Sequence, residues 1–494
     1  MLLALATGCG DDDAPETTPA IVWGACPALP EGATRDPRQE CGTLEVPLDY
    51  RQPEGATLSI AVSRIRAAAA ERRGVLFLNP GGPGLPGLDL PSLDVGVLPA
   101  EVLARYDLIG FDPRGVGHSS PVTCGLTDGV SIGTLFPYPA ADGSIDANVA
   151  LAQDTAAKCA AGASGAILPF ITTANTARDL DQLRRALGED VVSYWGQSYG
   201  TYLGAVYASL FADHVDRMVL EGNVDPTIGW YGFARTWGAG MASRFPDAAA
   251  VAAAGDATLH LGATAEDVTA AYQALAAQLD AQPAPIPGTD AAITGGLLRA
   301  ITYALLEHDE QLELLAHFWR AMADLVAGTA TEEDAAVLGQ IFAPGPVVPG
   351  VPDDNQTAVF LALTCGDTPW PTDVETYRQN TATDRAAYPL TAGMPANIWP
   401  CAFWPAPVEA AVSVTAEGAH NVLVLQNRRD NATPWESALG LRAALGARAT
   451  FVGLDAGGHY VYGRGSSCVD DVFDAFLASG TLPADDVMCA APAP

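Results

Sequence analysis

The sequence predicts an α/β fold, in which a mostly parallel sheet is flanked by helices and a helical segment is inserted into the chain. Three observations support this prediction. Apolar segments of strand length alternate with helical segments in both parts of the chain, as a parallel sheet requires. The alternation stops between 226 and 415, where helical periodicity continues alone. A strand also runs directly into Gly196-Gln-Ser198-Tyr-Gly200 and a helix, which indicates a sharp turn that carries a serine.

The first part of the chain supplies most of the predicted strands. Period-two alternation indicates two half-exposed opening strands, and the strand at 74–78 is a compact apolar run typical of a buried parallel strand. Leu180, Leu183 and Leu187 have the spacing of one helix face. The expected elements are strands 41–50, 57–65, 74–78 and 107–111, helix 176–187, and strands 191–195 and 217–221.

The insertion predicts a helical cap, and alternation resumes after it. Val268, Tyr272, Leu275 and Leu279 form one apolar stripe, for which Thr264 is the expected N-cap. Further helices are expected at 290–308 and 310–327, a loop at 343–353, strands at 421–426 and 449–454, and helices at 434–445 and 469–477.

The N-terminal segment resembles the end of a bacterial lipoprotein signal. Apolar and small residues precede Cys9, the expected lipidation site, and a short polar stretch follows it. An accidental resemblance is the alternative, because the segment is short and lacks a basic start. The chain then divides into a signal remnant and acidic tether (1–22), the first part of the core (23–225), the cap (226–415) and the second part of the core (416–494).

The remaining eight cysteines favour an exported protein with disulfide bonds. They have no metal-ligand spacing and fall into four sequential couples, so we expect neighbouring cysteines to pair. Buried free thiols in a cytosolic enzyme are the alternative. The expected pairs are Cys26 with Cys41, Cys124 with Cys159, Cys365 with Cys401, and Cys468 with Cys489.

The chain is strongly acidic. Its 25 basic and 58 acidic residues give a net charge of −33, and Lys158 is the only lysine. Such a surface repels nucleic acid and anionic membranes, so membrane contact is expected only through a lipid anchor. An acidic cleft would attract the amino terminus of a peptide, although a solvated acidic surface is the simpler explanation of the charge.

Three side chains have the order and positions of a nucleophilic triad. Ser198 lies at the turn, His459 follows the last predicted strand, and Asp430 follows the strand before it. A serine hydroxyl needs a nearby base that a carboxylate orients, and this order is that of the α/β-hydrolase fold. Asp455 is the competing carboxylate, since it is closer to His459 in sequence. No metal or cofactor is needed for this chemistry.

Carbonyl attack also requires donors for the developing oxyanion. The backbone N–H of Tyr199 is one expected donor, because it directly follows the serine. The other should come from the glycine-rich loop after residue 78, where Gly81, Gly82 and Gly84 have an N–H group; Gly82 is our choice.

Four motifs resemble the secreted bacterial α/β-hydrolase aminopeptidases, the tripeptidyl-aminopeptidase-like relatives of prolyl aminopeptidase. They are Asn-Pro-Gly-Gly-Pro-Gly at 79–84, Asp-Pro-Arg-Gly-x-Gly at 112–117, Trp-Gly-Gln-Ser-Tyr-Gly-Thr at 195–201, and Gly-His-x-x-Tyr at 458–462, followed by Cys468. Pro80 is a departure, since prolyl aminopeptidases commonly have histidine there.

This resemblance implies peptide substrates with a free amino terminus, from which short peptides or proline are released. It also implies that acidic residues hold the substrate's amine, and the candidates for this role are Glu221, Asp225 and Asp367. An esterase or lipase with the same triad is the alternative, and a non-catalytic surface-binding lipoprotein is a second one.

Overall fold

The computed structural model describes residues 20–492 apart from 69, 286–291 and 344. Cys9 and most of the tether expected at 1–22 therefore lie outside the described residues. No described helix has the length and apolar composition needed to cross a membrane.

A ten-stranded sheet forms the centre of the described fold. Its strands lie in the order β1-β2-β3-β5-β4-β6-β7-β10-β11-β12, antiparallel from β1 to β5 and parallel from β5 to β12. They are β1 (Val22–Gly24), β2 (Glu40–Pro47), β3 (Thr57–Ile65), β4 (Gly74–Asn79), β5 (Tyr106–Phe111), β6 (Val192–Gln197), β7 (Val215–Glu221), β10 (Val422–Arg429), β11 (Ala449–Gly457) and β12 (Val487–Cys489). Two short strands, β8 (Ala284–Pro285) and β9 (Ala292–Ile293), pair separately.

The register of the parallel strands brings their carboxyl ends to one edge. Asn79 at the end of β4 pairs with Gly196, and Gln197 at the end of β6 pairs with Glu221. Glu221 in turn pairs with Leu425 of β10. The loops that follow these strands therefore lie side by side, which is where open α/β sheets bind ligands.

Helices cover both faces of the sheet and form the insertion. The described helices are α1 (Leu90–Asp94), α2 (Ala100–Leu103), α3 (Asp128–Leu135), α4 (Asp146–Ala161), α5 (Thr173–Leu187), α6 (Tyr199–Leu210), α7 (Gly229–Ala254), α8 (Asp256–Leu259), α9 (Ala265–Ala281), α10 (Gly295–Leu305), α11 (Leu312–Ala327), α12 (Glu332–Ile341), α13 (Asn355–Asp367), α14 (Val374–Ala387), α15 (Trp435–Leu445) and α16 (Ser467–Ser479).

The expected helix at 290–308 is wrong at both ends. Residues 292–293 belong to β9, and α10 begins after Thr294, whose hydroxyl accepts the N–H of Leu297. The helix ends at Leu305, so residues 306–308 form a loop before a short 3₁₀ turn at 309–311. The N-cap expected at Thr264 is confirmed, since its hydroxyl accepts the N–H of Asp267 at 3.2 Å.

The buried apolar residues form separate clusters in the insertion and around the sheet. Helices α7 and α9 to α11 pack around Phe245, Phe318 and Trp319, each at most 1% exposed. Helix α13 and the segment at 398–402 pack instead with the helices on one face of the sheet. A fully buried side chain of this size contributes about 1.5–3 kcal/mol to stability. The residues between 226 and 415 therefore contribute to two hydrophobic cores.

Four disulfide bonds connect residues close in sequence. They pair Cys26 with Cys41, Cys124 with Cys159, Cys365 with Cys401, and Cys468 with Cys489, which are the expected pairs. Next to one of them, Lys158 forms an ion pair with Asp154 at 2.8 Å on the surface of α4.

Candidate active site

Ser198 occupies a strained turn between β6 and α6. Its backbone φ of 55° and ψ of −125° lie outside the regions that a serine ordinarily adopts. The turn is closely packed, because a side chain at Gly196 would come within 2.5 Å of the carbonyl oxygen of Gly200. A side chain at Gly81 would similarly come within 2.8 Å of the Ser198 Cβ atom. Glycine is therefore required on both sides of this serine and in the adjacent loop.

The structure brings the expected histidine and carboxylate together. Asp430 directly follows β10 and is 0% exposed, whereas His459 follows β11 and is 3% exposed. Nδ1 of His459 lies 2.9 Å from Oδ2 of Asp430. Ser198 and His459 both line one cavity at the carboxyl edge of the sheet. Asp455, the competing carboxylate, is instead 54% exposed and pairs with Arg429.

The hydrogen bonds of Asp430 fix its orientation toward His459. Oδ1 accepts the backbone N–H groups of Ala432 and Thr433 at 2.8 and 2.9 Å. Oδ2 accepts the Thr433 hydroxyl at 2.6 Å and the Gln426 amide at 3.1 Å. The helix expected at 434–445 begins at Trp435, and the hydroxyl of Thr433, two residues before it, donates to Asp430.

The pKa of His459 is raised by its carboxylate partner. Burial lowers this pKa, but the charge and hydrogen bond of Asp430, together with the charge of Glu307, outweigh burial and raise it to about 9. A carboxylate beside an imidazole favours the protonated ring. The pair can therefore stabilise an imidazolium, which forms whenever His459 takes a proton.

Two N–H groups border the cavity beside Ser198. Tyr199 is the first residue of α6, so its N–H has no carbonyl partner within the helix. Gly82 also lines the cavity, whereas the N–H of Gly81 donates to Oδ1 of Asn79 at 3.1 Å. Tyr199 and Gly82 therefore remain the candidates for oxyanion donors.

The cavity has a volume of about 280 Å³, and ten aromatic side chains contribute to its walls. Aromatic rings from the insertion face the glycine-rich loop and the Ser198 turn, so the cavity lies between core and cap. Its aromatic lining residues are Phe136, Tyr199, Trp230, Phe233, Trp237, Tyr303, Phe360, Trp370, Trp399 and Tyr460. Such walls favour apolar groups in a bound ligand.

Glu307 is the acidic residue of the cavity lining. Its backbone carbonyl accepts the N–H of His459 at 2.8 Å, which places it beside the Asp430–His459 pair. Burial raises the pKa of the Glu307 carboxyl to about 7, although the charge of His459 opposes this effect. A carboxylate among aromatic walls attracts a cationic group, because little solvent screens its charge.

The acidic residues expected to bind an amine do not line this cavity. Glu221 is 1% exposed and accepts the N–H groups of Tyr462 and Val461 and the indole N–H of Trp195. Its oxygens are therefore used in binding the loop after His459.

The other two expected amine ligands are also engaged elsewhere. Asp225 accepts the N–H and hydroxyl of Thr227 within its own turn. Asp367 is buried and accepts the N–H and hydroxyl of Thr173 at 2.8 and 2.6 Å. Glu221, Asp225 and Asp367 therefore lie outside the lining of this cavity, and their amine-binding role stays a prediction.

Sequence reasoning missed Glu307 because it was expected inside a helix. The acidic run Glu307-His308-Asp309-Glu310 was the available signal, since a helix rarely continues unchanged through such a cluster next to its C-terminus. The structure ends the helix before this run and turns Glu307 toward the cavity.

Comparison with known proteins identifies similar chains. Residues 388–489 match the family described as TAP-like protein. The chain is 36% identical to the tripeptidyl aminopeptidase of Streptomyces lividans, covering 91% of this chain and 83% of that protein. It is 28% identical to the serine protease Hip1 of Mycobacterium tuberculosis, covering 96% and 92%. It is 31% identical to a carboxylesterase B of the same organism, covering 97% and 91%.

Proposed function

The chain belongs to the family of α/β-hydrolase serine hydrolases that contains the tripeptidyl aminopeptidases, and we propose that it is an exported aminopeptidase. It releases short N-terminal peptides, such as tripeptides, or proline from peptide substrates. Ser198 is its nucleophile, His459 its general base and acid, and Asp430 the carboxylate that orients the imidazole. Their positions after the carboxyl ends of β6, β10 and β11, at one edge of the sheet, support these roles.

In the first half of the reaction, Ser198 forms an ester with the substrate. Its oxygen attacks the carbonyl carbon while His459 takes the hydroxyl proton, and Asp430 stabilises the imidazolium. The N–H groups of Tyr199 and Gly82 donate to the oxyanion. The C–N bond then breaks, His459 gives its proton to the leaving amine, and the C-terminal remainder departs.

In the second half, water releases the N-terminal fragment. His459 takes a proton from the water molecule, whose oxygen attacks the ester carbon of the acyl-enzyme. The bond to Ser198 then breaks, and the serine oxygen recovers a proton from His459. The fragment leaves as a carboxylate with its amino terminus unchanged.

Glu307 is the observation that carries the assignment as an aminopeptidase. It places one carboxylate in an aromatic cavity that Ser198 and His459 also line. An ammonium group paired with this carboxylate offsets the cost of burying either charge alone. A blocked amino terminus cannot form this pair, so the free amine becomes a condition of tight binding.

The test compares peptide anilides that carry free or acetylated amino termini. For the wild type we expect a higher kcat/KM for the free amine. Glu307→Gln should reduce this preference by about 10- to 100-fold, because a hydrogen bond to a charged group contributes about 1.5–3 kcal/mol. Glu313→Gln, at an exposed position of α11, is the matched control and should keep the preference. Equal rates for both substrates of the wild type would reject the aminopeptidase assignment.

A carboxylic-ester hydrolase is the second candidate function, and the aromatic cavity favours it. Apolar walls suit an acyl chain without charge, and one similar protein has the name carboxylesterase B. Nitrophenyl esters of neutral acyl groups separate the candidates. Rapid turnover of these esters, together with no cleavage of peptide anilides, would favour the esterase.

Export and lipid attachment form the remaining part of the proposal. Four disulfide bonds support an oxidising compartment, and Cys9 is the proposed site of lipidation. Expression of the full chain with Cys9→Ser should move the protein from the membrane fraction to the soluble fraction. An unchanged distribution would remove Cys9 from this role.

A further inference from the structure

The guanidinium group of Arg244, in α7, binds residues on both sides of Glu307. The guanidinium group is buried, with Arg244 only 1% exposed. Its Nε donates to the carbonyl oxygen of Leu306 at 2.9 Å, and one terminal nitrogen pairs with the carboxylate of Asp309. One planar group therefore holds the residues on both sides of Glu307.

The same guanidinium lies against the backbone that leads into His459. A side chain at Gly457 would come within 1.8 Å of Nη1 of Arg244, so only glycine leaves room for it. A side chain at Gly458 would lie 3.3 Å from the carbonyl oxygen of Glu307. The His459 N–H donates to that carbonyl oxygen. Arg244, Glu307 and the His459 loop thus form one packed unit.

A third contact connects this unit to the strand that precedes Asp430. Nη1 of Arg244 donates to Asp247 at 2.6 Å, and Asp247 also accepts from Nε of Arg429 at 2.9 Å. The guanidinium has a fixed fork of donors, so these simultaneous contacts define its orientation. A lysine side chain would carry the same positive charge but would lack the fixed arrangement of guanidinium donors.

We infer that Arg244 is a positioning residue for recognition of the substrate's amino terminus. By holding residues 306 and 309 it keeps the Glu307 carboxylate in the cavity and the Glu307 carbonyl on the backbone of His459. The distance between the amine site and the catalytic base is thereby fixed. This inference rests on the proposed aminopeptidase function, in which Glu307 pairs with the substrate's ammonium group.

The test uses Arg244→Met and Arg244→Lys, with the ratio of kcat/KM for free and acetylated peptide anilides as readout. Both substrates use the same triad, so the ratio reports amine recognition and not the amount of folded enzyme. We expect both variants to lose about 10-fold or more of the ratio, mainly through a higher KM for the free amine. A fluorophosphonate that labels Ser198 counts the intact sites. A lower melting temperature with an unchanged ratio would make Arg244 structural only and overturn the inference.

Asp309→Asn provides a milder variant if the Arg244 variants do not fold. Asp309 is 58% exposed, so this change removes the charge from one contact of the guanidinium and weakens that contact with little effect on the core. Glu310→Gln is the matched control, because Glu310 pairs with Arg464 instead. We expect about a threefold loss of the ratio for Asp309→Asn only, as for a weakened surface contact. Equal ratios in both variants would reject the inference.

The two proposals fail in different ways. A wild type without preference for the free amine rejects the aminopeptidase function, and the positioning role with it. A wild type whose preference disappears in Glu307→Gln but persists in the Arg244 variants keeps the aminopeptidase function and rejects the positioning role alone.

Discussion

Asp430 and Asp455 show that hydrogen bonding, and not sequence distance, determines which carboxylate faces His459. Asp430 lies 29 positions from His459, yet its oxygens accept from several donors and one faces Nδ1 of the imidazole. Asp455 lies four positions away and points to the surface, where it pairs with Arg429. The carboxylate whose orientation is fixed can in turn fix the tautomer of the histidine.

Replacing these two residues should have unequal effects. We expect Asp430→Asn to lower kcat by about 10⁴-fold, because an amide favours the wrong tautomer of His459. Asp455→Asn should change kcat by less than about threefold, since a surface ion pair contributes about 1 kcal/mol or less. Steady-state kinetics with a peptide anilide measures both. The reverse ranking would transfer the orienting role to Asp455.

The charge state of His459 predicts the pH dependence of the reaction. The pKa of His459 is raised from 6.5 to about 9, and in its proposed role as the base the ring must be neutral to take the serine proton. Activity, measured as kcat/KM, should therefore rise with pH through that range and become constant above it. An acetylated substrate avoids titration of the substrate's own amine.

The Glu307→Gln variant provides the control for this dependence of kcat/KM on pH. The carboxylate of Glu307 is one of the charges that raise the pKa of His459, so Glu307→Gln should shift the rise in kcat/KM to lower pH. The ordinary pKa of histidine is about 6.5. If kcat/KM of the wild type were already constant above that pH, the result would contradict the coupling of His459 to these carboxylates.

At the scale of elements, one disulfide connects two segments that form a wall of the cavity. Cys365 lies in α13, which also supplies Phe360 and Thr364 to the cavity, and Cys401 follows Trp399. Trp399 stacks on Trp370 with ring centroids 5.5 Å apart. The disulfide therefore holds both the fold of this segment and the shape of the cavity.

Removing this bond should affect both stability and binding. The double variant Cys365→Ala, Cys401→Ala should lose about 2–5 kcal/mol of unfolding free energy, because the unfolded chain gains freedom. We also expect a higher KM, because the two segments that form this wall of the cavity lose their covalent connection. The matched control Cys26→Ala, Cys41→Ala should lower stability without raising KM, because its disulfide joins β2 to the segment that follows β1, outside the cavity lining. Denaturant unfolding and steady-state kinetics separate the two effects.

The elements around the proposed triad could be predicted because their signals are local. Ser198, Asp430 and His459 each follow a short apolar strand, and strand ends can be located from period and composition. The disulfide pairs were likewise expected from sequence neighbours. These features depend on residues close together in the chain.

The proposed amine site at Glu307 could not be predicted from the sequence, because it depends on contacts between distant segments. Glu221 is the last residue of β7, but the sequence does not show that its oxygens accept hydrogen bonds from the loop that contains Tyr462. Glu307 reaches the cavity only because α10 ends early and Arg244, about sixty positions before it, holds the loop. Helical periodicity gives no information about such a contact.

At the scale of the whole molecule, the net charge of −33 should influence substrate encounter. An acidic surface attracts a cationic peptide over a distance that salt shortens, to about 3 Å at 1 M ionic strength. For a free-amine substrate without carboxylates, kcat/KM should therefore decrease several-fold between low salt and 1 M NaCl. The acetylated neutral substrate is the control and should show little change. Equal salt dependence of both substrates would exclude steering by charge.

Lys158, which pairs with Asp154 on the surface of α4, is a defined point for chemical attachment of the protein. Because Lys158 is the only lysine and is 47% exposed, a reagent that acylates amines can modify only this side chain and the chain's own amino terminus. The lysine lies on α4, outside the lining of the active-site cavity. A support activated with such a reagent would hold the enzyme through at most two defined points. Immobilised molecules would then share a few orientations, with the lysine attachment outside the lining of the cavity that Ser198 borders.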